Sequence, residues 1–230
     1  MKAMILGAAA ACSMLAAVPA AAQTTYDTTG SFSSDLYPFG VTDTSTYGEV
    51  FTVGADNTLN SFSLFLNDQY GETGTVDFKG YLYAWDGTKA TGAQLYASGN
   101  RTYSGGGAHE FAFSTGALSL VSGQQYVAFL STAGLQVGQN DVGFGMPLTG
   151  NYGGSLVGGG AVYYNTGNDF GPLTSSQWNY LPTYGLGDVW FKASFNQGVP
   201  EPASWALMLV GFGAVGSALR GRRRLIAHVA

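Results

Sequence analysis

Thr75–Ala90 reads TVDFKGYLYAWDGTKA and decides the fold, because it joins the longest strand signal of the chain, Thr75–Trp85, to a turn. Val76 and Phe78 share one face of an extended strand. The opposite face carries three large aromatic side chains, Tyr81, Tyr83 and Trp85. Gly80 separates the two sets, and a glycine within a strand commonly marks a bulge. The sequence leaves two outcomes: a shift in phase at Gly80 turns the three aromatic residues inward, and an unbroken strand exposes them.

Working outward, further segments show strand patterns separated by turns rich in glycine, asparagine or aspartate. They are Tyr47–Val53, Leu59–Leu66, Gln94–Ser98, His109–Phe113, Gln125–Ser131, Val142–Phe144, Ala161–Asn165 and Asp188–Phe195. In the second, Phe62 and Leu64 alternate with Ser61 and Ser63, as in a strand buried on one face. The last segment predicts three outward side chains, Trp190, Lys192 and Ser194. The run QYVAFLS lacks alternation and predicts a central strand.

About nine short strands, with no helix expected outside the two ends of the chain, predict an all-β domain. Glycine, threonine, serine and aromatic residues dominate the middle of the chain, a composition that favours strands and turns. We expect one β-sandwich over residues 23–198. A jelly roll is the preferred topology, because it accommodates long irregular loops and brings the two ends of the domain together. The pattern does not give the strand order.

Residues 1–22 have the composition of a signal peptide. Lys2 supplies a positive charge, an alanine-rich apolar core extends to Val18, and small residues that a signal peptidase accepts follow. The predicted cleavage site is formed by Ala20, Ala22 and Gln23. A lipoprotein signal at Cys12 is disfavoured, because this cysteine lies early in the apolar core. Loss of the signal also removes the one cysteine, so the mature chain has no disulfide.

The stretch 199–224 combines a rigid tripeptide, an uncharged run and a cluster of arginines. The two prolines of Pro200-Glu201-Pro202 fix φ and disfavour helix. Ala203–Leu219 is uncharged and has the length of a short membrane helix, about 17 residues. Four arginines follow, Arg220, Arg222, Arg223 and Arg224. Because such arginines stay on the cytoplasmic side, the preceding domain is predicted to lie outside and residues 225–230 to form a cytosolic tail.

This tail resembles the C-terminal sorting signal of PEP-CTERM proteins in its P-E-P-x-x-W-A variant. The residues that carry the resemblance are Pro200, Glu201, Pro202, Trp205 and Ala206, followed by the apolar run and the arginines. The resemblance implies a bacterial envelope protein that is exported, held in the membrane by its C-terminal helix and processed by an exosortase, in organisms that make exopolysaccharide. On charge and hydropathy alone, a membrane anchor that is never cut fits equally well.

More loosely, Thr75–Ala90 resembles jelly-roll or carbohydrate-binding-module domains that precede such tails.

The net charge of the domain independently restricts its possible partners. Between residues 23 and 198 the sequence has four cationic side chains against thirteen carboxylates, a formal charge of −9. Because nucleic acids and anionic lipids bind clustered lysine and arginine, we exclude a nucleic-acid partner.

Catalytic chemistry finds little support in the sequence, and we predict no catalytic residue and no cofactor. His109 is the one histidine of this domain, too few for a zinc site, and no G-x-S-x-G motif accompanies it. Candidate carboxylates for glycoside hydrolysis are scattered, Asp77, Asp86, Glu49, Glu72 and Glu110. Oxygen-rich pairs that fit a structural calcium ion or simple turns are Asp56-Asn57, Asn67-Asp68 and Asn168-Asp169.

Aromatic residues are the remaining candidates for a binding site, since their flat apolar faces can stack on sugar rings. The predicted sugar platform consists of Trp178, Tyr180, Tyr81, Tyr83 and Trp85, which a cysteine-free sandwich could equally use as core. The sequence thus favours a non-enzymatic envelope or matrix protein associated with exopolysaccharide. A carbohydrate-binding module with a defined glycan site is the alternative, and an extracellular glycoside hydrolase is the third reading.

Overall fold

The structure is a computed structural model that describes residues 23–40, 43–68, 71, 73–135, 143–150, 155–165, 167–196 and 208–213. Most of the described chain is extended. The strands are β1 Gln23–Asp27, β2 Ser34–Leu36, β3 Thr46–Thr52, β4 Thr58–Leu66, β5 Val76–Trp85, β6 Ala90–Ala97, β7 Arg101–Tyr103, β8 His109–Ser119, β9 Gln125–Ser131, β10 Met146–Leu148, β11 Gly160–Tyr164, β12 Asn179–Tyr180 and β13 Phe191–Asn196. A single-turn helix, α1, spans Pro172–Ser175, and a 3-10 turn spans Leu181–Tyr184. The expectation of an all-β domain is confirmed.

Two antiparallel sheets contain most of these strands. The first has the order β1-β13-β4-β8. The second has the order β12-β11-β3-β9-β5-β6, with β7 paired to β5 beside β6. β2 and β10 form a separate two-stranded ribbon. β9 lies between β3 and β5, so the unpatterned run QYVAFLS is a central strand as predicted.

The alternation of side chains explains why each strand faces as it does. In β13, Phe191, Ala193 and Phe195 are buried, whereas Lys192 and Ser194 are partly exposed. β4 likewise buries Phe62 and Leu64 against the second sheet. Burial of one such side chain stabilises the fold by about 1.5–3 kcal/mol. A strand with this pattern is stable only when an apolar layer covers one of its faces.

The two sheets pack face to face through an inner core whose largest members are phenylalanines. The phenylalanines of this core are Phe39, Phe51, Phe62, Phe78, Phe111, Phe113, Phe144, Phe191 and Phe195. Phe51 of β3 stacks on Phe191 of β13 with 5.3 Å between ring centroids. At the other side of the core, Phe78 of β5 meets Phe111 of β8 edge to face at 4.8 Å. The two antiparallel sheets therefore share one core, and aromatic contacts join them.

β5 continues past Gly80 without a change of phase. Its pairing with β9 runs in step from Lys79 to Ala84, and Phe78 and Leu82 both point into the inner core. A Cβ at Gly80 would lie 2.5 Å from the Phe113 ring, so glycine is required by the close approach of the opposite sheet. Both outcomes expected for the three later aromatic residues are wrong: the strand does not shift, yet they are not exposed, because another segment covers them.

The described structure also contains elements that the pattern did not predict. α1 and β12 lie between the predicted segments Ala161–Asn165 and Asp188–Phe195, where neither a helix nor a strand was expected. β10 forms at Met146–Leu148, a few residues after the predicted strand Val142–Phe144, whose first residue lies outside the described residues. Residues 208–213 are helical and exposed. Among the residues that the structure describes, no helix is long and apolar enough to cross a membrane.

Candidate functional site

The residues of the predicted sugar platform lie together, and four of the five are buried. They belong to an outer cluster on the face of the second sheet that points away from the first. Its members are Val50, Tyr81, Tyr83, Trp85, Ala90, Val127, Phe129, Val162, Leu173 and Trp178, with Tyr180 partly buried beside them. Tyr81, Tyr83, Trp85 and Trp178 are 7%, 5%, 6% and 3% exposed. Aromatic residues of β5 thus form a second core.

The cover of this outer cluster is the segment 167–184, which carries α1. Phe170 packs against Tyr81 with 4.9 Å between ring centroids. Trp178 lies edge-on to Trp85 at 5.7 Å and to Phe129 at 5.2 Å. The Trp178 indole N–H donates to the carbonyl of Leu173 at 2.8 Å. This packing corrects the platform prediction, because the ring faces that a sugar would use are occupied by protein.

The tyrosines of the outer cluster keep their polar ends at its edge. The Tyr180 hydroxyl donates to the Gly159 carbonyl at 2.6 Å. The Tyr83 hydroxyl lies 3.4 Å from the Gln94 side-chain oxygen. Burial raises the pKa of Tyr81, Tyr83 and Tyr180 above the ordinary phenol value. These hydroxyls therefore remain neutral hydrogen-bond donors over the whole physiological range.

His109 and the candidate hydrolytic carboxylates are dispersed. His109 packs its ring against Tyr103 and Phe111 at the start of β8, with centroids 6.5 Å and 4.7 Å away. Asp77 accepts a hydrogen bond from Thr102, and Glu110 pairs with Lys192 at 3.0 Å. The other three candidates are Asp86 in the β5–β6 turn, Glu49 in the core and Glu72, which lies outside the described residues. The structure gives each described carboxylate a local partner or a buried place rather than a shared cleft.

Asp86 illustrates such a local role. Its carboxylate accepts from the backbone N–H groups of Thr88 and Lys89 and from the Lys89 ammonium at 2.7 Å. The hydrogen bond from Lys89 is the main reason why the pKa of this carboxyl lies well below its usual range. The side chain closes the predicted turn, and its carboxylate is already used by that turn.

The pairs considered for calcium also bond to the backbone. Asn57 donates to the Leu120 carbonyl, Asn168 accepts from the N–H of Gly134, and Asp169 accepts from the N–H of Gly171. Asn67 donates to the Asp35 carboxylate at 2.9 Å. No group of three or more acidic, histidine or cysteine side chains suited to a metal ion occurs within the described residues. Only Asp169, which bonds two residues ahead to Gly171, makes the local contact of an Asx turn; the three asparagines bond to distant parts of the chain.

A buried acidic pair was missed by the sequence interpretation. Glu49 and Asp188 are both 0% exposed, and each uses one carboxylate oxygen to accept a backbone N–H, from Val189 and Leu156 respectively. The other oxygens, Glu49 Oε1 and Asp188 Oδ1, are buried and have no hydrogen-bond partner. Burial and then the charge of Asp188 raise the pKa of the Glu49 carboxyl well above its usual range. Burial therefore favours the protonated form of Glu49 over the carboxylate.

One signal for this pair was present in the sequence. Glu49 has the same parity as Phe51 and Val53 in the segment YGEVFTV, so the alternation already placed a carboxyl on the core face. A charged residue at an inward position requires either a partner or a proton. The informative feature was the inward position of Glu49 in the strand, and not its presence among the scattered carboxylates of the domain.

An open cavity of about 400 Å³ lies where β2, β3 and β11 meet. Its described lining consists of Asp35, Leu36, Tyr37, Asp43, Thr44, Tyr47, Tyr163 and Leu181. Tyr37 is 54% exposed, and the Tyr47 and Tyr163 rings lie 6.2 Å apart. Asp35 is almost fully buried, and its Oδ1 has no hydrogen-bond partner. This end cavity combines aromatic faces with carboxylates, and the sequence interpretation did not identify it.

A second aromatic patch lies on the outer face of the first sheet. Trp190 meets Phe32 and Phe65 edge to face, at 6.0 Å and 5.7 Å. The Lys192 ammonium lies 5.2 Å from the centre of the Phe65 ring. The Trp190 indole N–H donates to the Ser31 carbonyl, which fixes the ring on the sheet. Lys192 and Ser194 face outward as predicted, and Trp190 lies beside them, partly exposed.

The predicted processing residues cannot be placed in the structure. Ala20 and Ala22 of the signal cleavage site lie outside the described residues, and Gln23 is the first residue of β1. The sorting residues also lie outside them; they are Pro200, Glu201, Pro202, Trp205, Ala206, Arg220, Arg222, Arg223 and Arg224. The described helical residues 208–213 fall within the predicted apolar run, and their large side chains are exposed.

Comparison with known proteins supports one part of the chain. The family model described as the PEP-CTERM protein-sorting motif matches residues 198–224. Searches of curated proteins and of solved structures give no match. The matched span coincides with the stretch that resembled such a signal, and the motif implies processing by an exosortase and export to the cell envelope or surface. The chain is thus a protein that carries a PEP-CTERM protein-sorting motif directly after a domain of antiparallel β-sheets.

Proposed function

We propose that this protein is a non-enzymatic component of the bacterial cell surface or extracellular matrix, displayed as one sandwich domain and associated with exopolysaccharide. The observation that carries the proposal is the sorting motif at residues 198–224, which begins two residues after β13 ends at Asn196. Every strand of the domain therefore precedes the motif in the sequence. Removal of the tail by an exosortase would leave every strand of the domain intact.

The strand order supports a jelly roll as the form of this domain. We infer this topology from eight strands, taken in chain order as β1, β3, β4, β5, β6, β8, β9 and β13. Numbered one to eight, they give the sheet orders 1-8-3-6 and 2-7-4-5, so consecutive strands mostly alternate between the two sheets. β11 and β12 extend the second sheet beyond this set. Jelly rolls occur in lectins and viral capsids, where the scaffold presents a surface.

The absence of enzyme activity is likewise our proposal. It is supported by the placement of His109 in a ring contact with Tyr103 and of Glu49 in the core. Glycoside hydrolysis needs two carboxyl groups that flank one bond, about 5–9.5 Å apart, in a cleft that admits substrate. The end cavity has two carboxyl residues, Asp35 and Asp43, and each already accepts a hydrogen bond from a neighbouring side chain, Asn67 and Thr44 respectively. We therefore regard this cavity as a binding feature.

A carbohydrate-binding module with a defined site is the second candidate, and the end cavity is the observation that favours it. Tyr37 and Tyr163 supply ring faces that are at least partly exposed, while Asp35 and Asp43 supply acceptors for hydroxyl or amino groups. Sugar sites combine these two kinds of group, because pyranose rings have apolar C–H faces and polar edges.

Two measurements test the proposed function. The full chain is expressed in the producing bacterium and in a strain that lacks the exosortase, and the mature protein is analysed by mass spectrometry. We expect the Arg220–Arg224 cluster to be lost in the first strain and kept in the second. An intact cluster on the cell-surface protein of the first strain would contradict processing and leave an anchored domain.

Association with polysaccharide is tested on the exported protein recovered from those cells. The protein is sedimented with exopolysaccharide extracted from the producing bacterium, and with buffer alone as the control. We expect a fraction of the protein to sediment with the polysaccharide. If the protein stays in the supernatant in both cases, the association with exopolysaccharide is refuted while the result on processing stands.

A further inference from the structure

We propose that the end cavity binds a protonated amino sugar residue of an extracellular polysaccharide. This inference rests on the proposed association with exopolysaccharide and names the chemistry of the sugar. Three features of the cavity carry it: its charge, the state of the Asp35 carboxylate and the arrangement of its tyrosines.

The charge of the cavity selects a cationic ligand. Its described lining contains two carboxyl residues, Asp35 and Asp43, and none of the described lining residues is lysine, arginine or histidine. The surrounding domain has a formal charge of −9. A uronic acid or a sulfated sugar would be repelled by this field, whereas an ammonium group would be attracted to it.

Asp35 lacks a donor that such a ligand could supply. The residue is 6% exposed, and its Oδ2 accepts from the Asn67 side-chain amide at 2.9 Å. Its Oδ1 accepts no hydrogen bond and has almost no accessible surface, so the ligand contact requires a shift of the side chains that cover this oxygen. A buried carboxylate oxygen without a donor is costly, and a charge-assisted bond from an ammonium N–H is among the strongest ways to satisfy it. Asp43 already accepts a hydrogen bond from the Thr44 hydroxyl, which leaves Asp35 as the specific contact.

The tyrosines fit the remainder of a sugar ring. Tyr37 is half exposed, and Tyr163 lies partly exposed beside Tyr47, whose ring centroid is 6.2 Å away. Aromatic faces attract both the C–H groups of a pyranose and a nearby cation. The cavity volume of about 400 Å³ is within the range of small-molecule sites and accommodates one sugar residue. An amino sugar presents both the apolar face and the ammonium group.

The test uses two soluble probes that differ in one group. The exported protein is titrated calorimetrically with a glucosamine oligomer and with the N-acetylglucosamine oligomer of the same length. We expect the glucosamine oligomer to bind and the acetylated oligomer to bind at least tenfold more weakly, because acetylation removes the charge. Equal binding of the two oligomers, or stronger binding of the acetylated one, would overturn the inference.

Matched variants separate the cavity from general attraction to an acidic protein. Asp35→Asn keeps an oxygen that can accept from Asn67 and removes the charge, so affinity for the glucosamine oligomer should fall roughly tenfold or more. Tyr163→Leu keeps apolar bulk without a ring face and should weaken binding several-fold. Asp169→Asn removes the same charge at an exposed site outside the cavity and should leave affinity within about twofold. If Asp169→Asn weakens binding as much as Asp35→Asn, the site is not this cavity.

The outcomes for the two proposals can be told apart. If the protein sediments with exopolysaccharide but does not bind the glucosamine oligomer, the amino-sugar inference fails and the proposed function stands. If neither occurs, the association with exopolysaccharide fails as well. Thermal unfolding of each variant, expected within a few degrees of the parent protein, shows that a loss of binding does not come from a loss of fold.

Discussion

The two faces of β5 carry aromatic clusters that differ in chemistry. The inner core is built mainly from phenylalanines such as Phe78 and Phe113, which have no polar side-chain atoms and lie between two sheets, although it also buries three tyrosines. The outer cluster uses tyrosine and tryptophan, and a loop segment with one helical turn covers it. Phenylalanine suits a site closed by rigid layers. Tyrosine and tryptophan suit a site with a nearby edge, where the hydroxyl or indole N–H finds an acceptor.

This difference shows that a row of tyrosine and tryptophan on one strand face does not by itself indicate a surface for ligands. In the outer cluster the polar ends are used by the protein: Trp178 bonds to Leu173, and Tyr180 bonds to Gly159. Amphipathic rings suit a thin cover, because their polar ends reach its edge. The same property would suit a sugar. Exposure, rather than residue type, separates the two roles.

The largest effect is expected from the inner core. Phe191→Ala removes a fully buried ring that stacks on Phe51, and it should lower the free energy of unfolding by about 3–5 kcal/mol. Urea unfolding of the exported protein measures this change. Tyr184→Ala is the control, because Tyr184 is 72% exposed and its loss should cost less than about 0.5 kcal/mol. A loss below about 1 kcal/mol for Phe191→Ala would mean that the two sheets do not depend on this contact.

The outer cluster should respond less and more locally. Trp178→Ala should lower the free energy of unfolding by about 2–3 kcal/mol, because a loop can settle into part of the space that a sheet cannot. Amide exchange in residues 167–184 should accelerate while exchange in β13 changes little. Trp178→Phe keeps the ring but loses the bond to Leu173, at a cost of about 1 kcal/mol. If β13 exchanges as fast as the cover, the two clusters form one cooperative unit and the comparison fails.

Glu49 tests a polar group on the inner face. Its folded-state pKa is raised by burial, so the folded protein keeps a proton that the unfolded chain releases above a pH of about 4.5. The stabilisation from this proton is fully present below that pH and is lost as the pH rises through the folded-state value. Glu49→Gln should remove this decline, since an amide needs no added proton to donate towards Asp188.

Urea unfolding of both proteins from about pH 4 to about pH 9 measures the difference in slope. At the acidic end the two free energies of unfolding should agree within about 1 kcal/mol, because both side chains can accept from Val189. A variant whose stability declines in parallel with that of the parent protein would show that Glu49 is not the titrating group.

The smallest effect is expected on the outer face of the first sheet. Lys192→Ala removes the ion pair with Glu110 and the contact with the Phe65 ring, and both charged side chains are about one third exposed. Solvent screening limits the expected loss to roughly 0.2–1 kcal/mol, and added salt should reduce it further. Unfolding curves at low and high salt measure this. A salt-independent loss would indicate that packing of the lysine stem on Phe65 matters more than the charges.

Strand positions could be predicted well because one face of most strands is buried. β4, β5 and β9 begin and end within one residue of the predicted segments, and the inward and outward residues of β13 follow the alternation. The period of two reports burial on one side. For β5 the same rule gave the parity of the aromatic residues correctly but left their exposure open, since a strand pattern contains no information about what covers its second face.

The cover and the end cavity could not be predicted for a physical reason. Residues 167–184 fold by contacts with distant rings, such as Phe170 on Tyr81, and they show no period of their own. The cavity likewise brings Asp35 close to Tyr163 through tertiary packing alone. The sorting motif is the opposite case, because a processing enzyme reads a local sequence and the family match needs no fold.

The position of β13 has a consequence for the order in which the domain can be completed. This strand lies between β1 and β4, although β1 and β13 stand at opposite ends of the domain sequence. A chain that emerges from its N-terminus, during synthesis or export, therefore cannot join β1 to β4 until Phe191–Asn196 is available to lie between them. Only then do Phe191 and Phe195 seal the inner core. The motif follows within two residues, so the domain closes when the sorting tail is the next segment in transit.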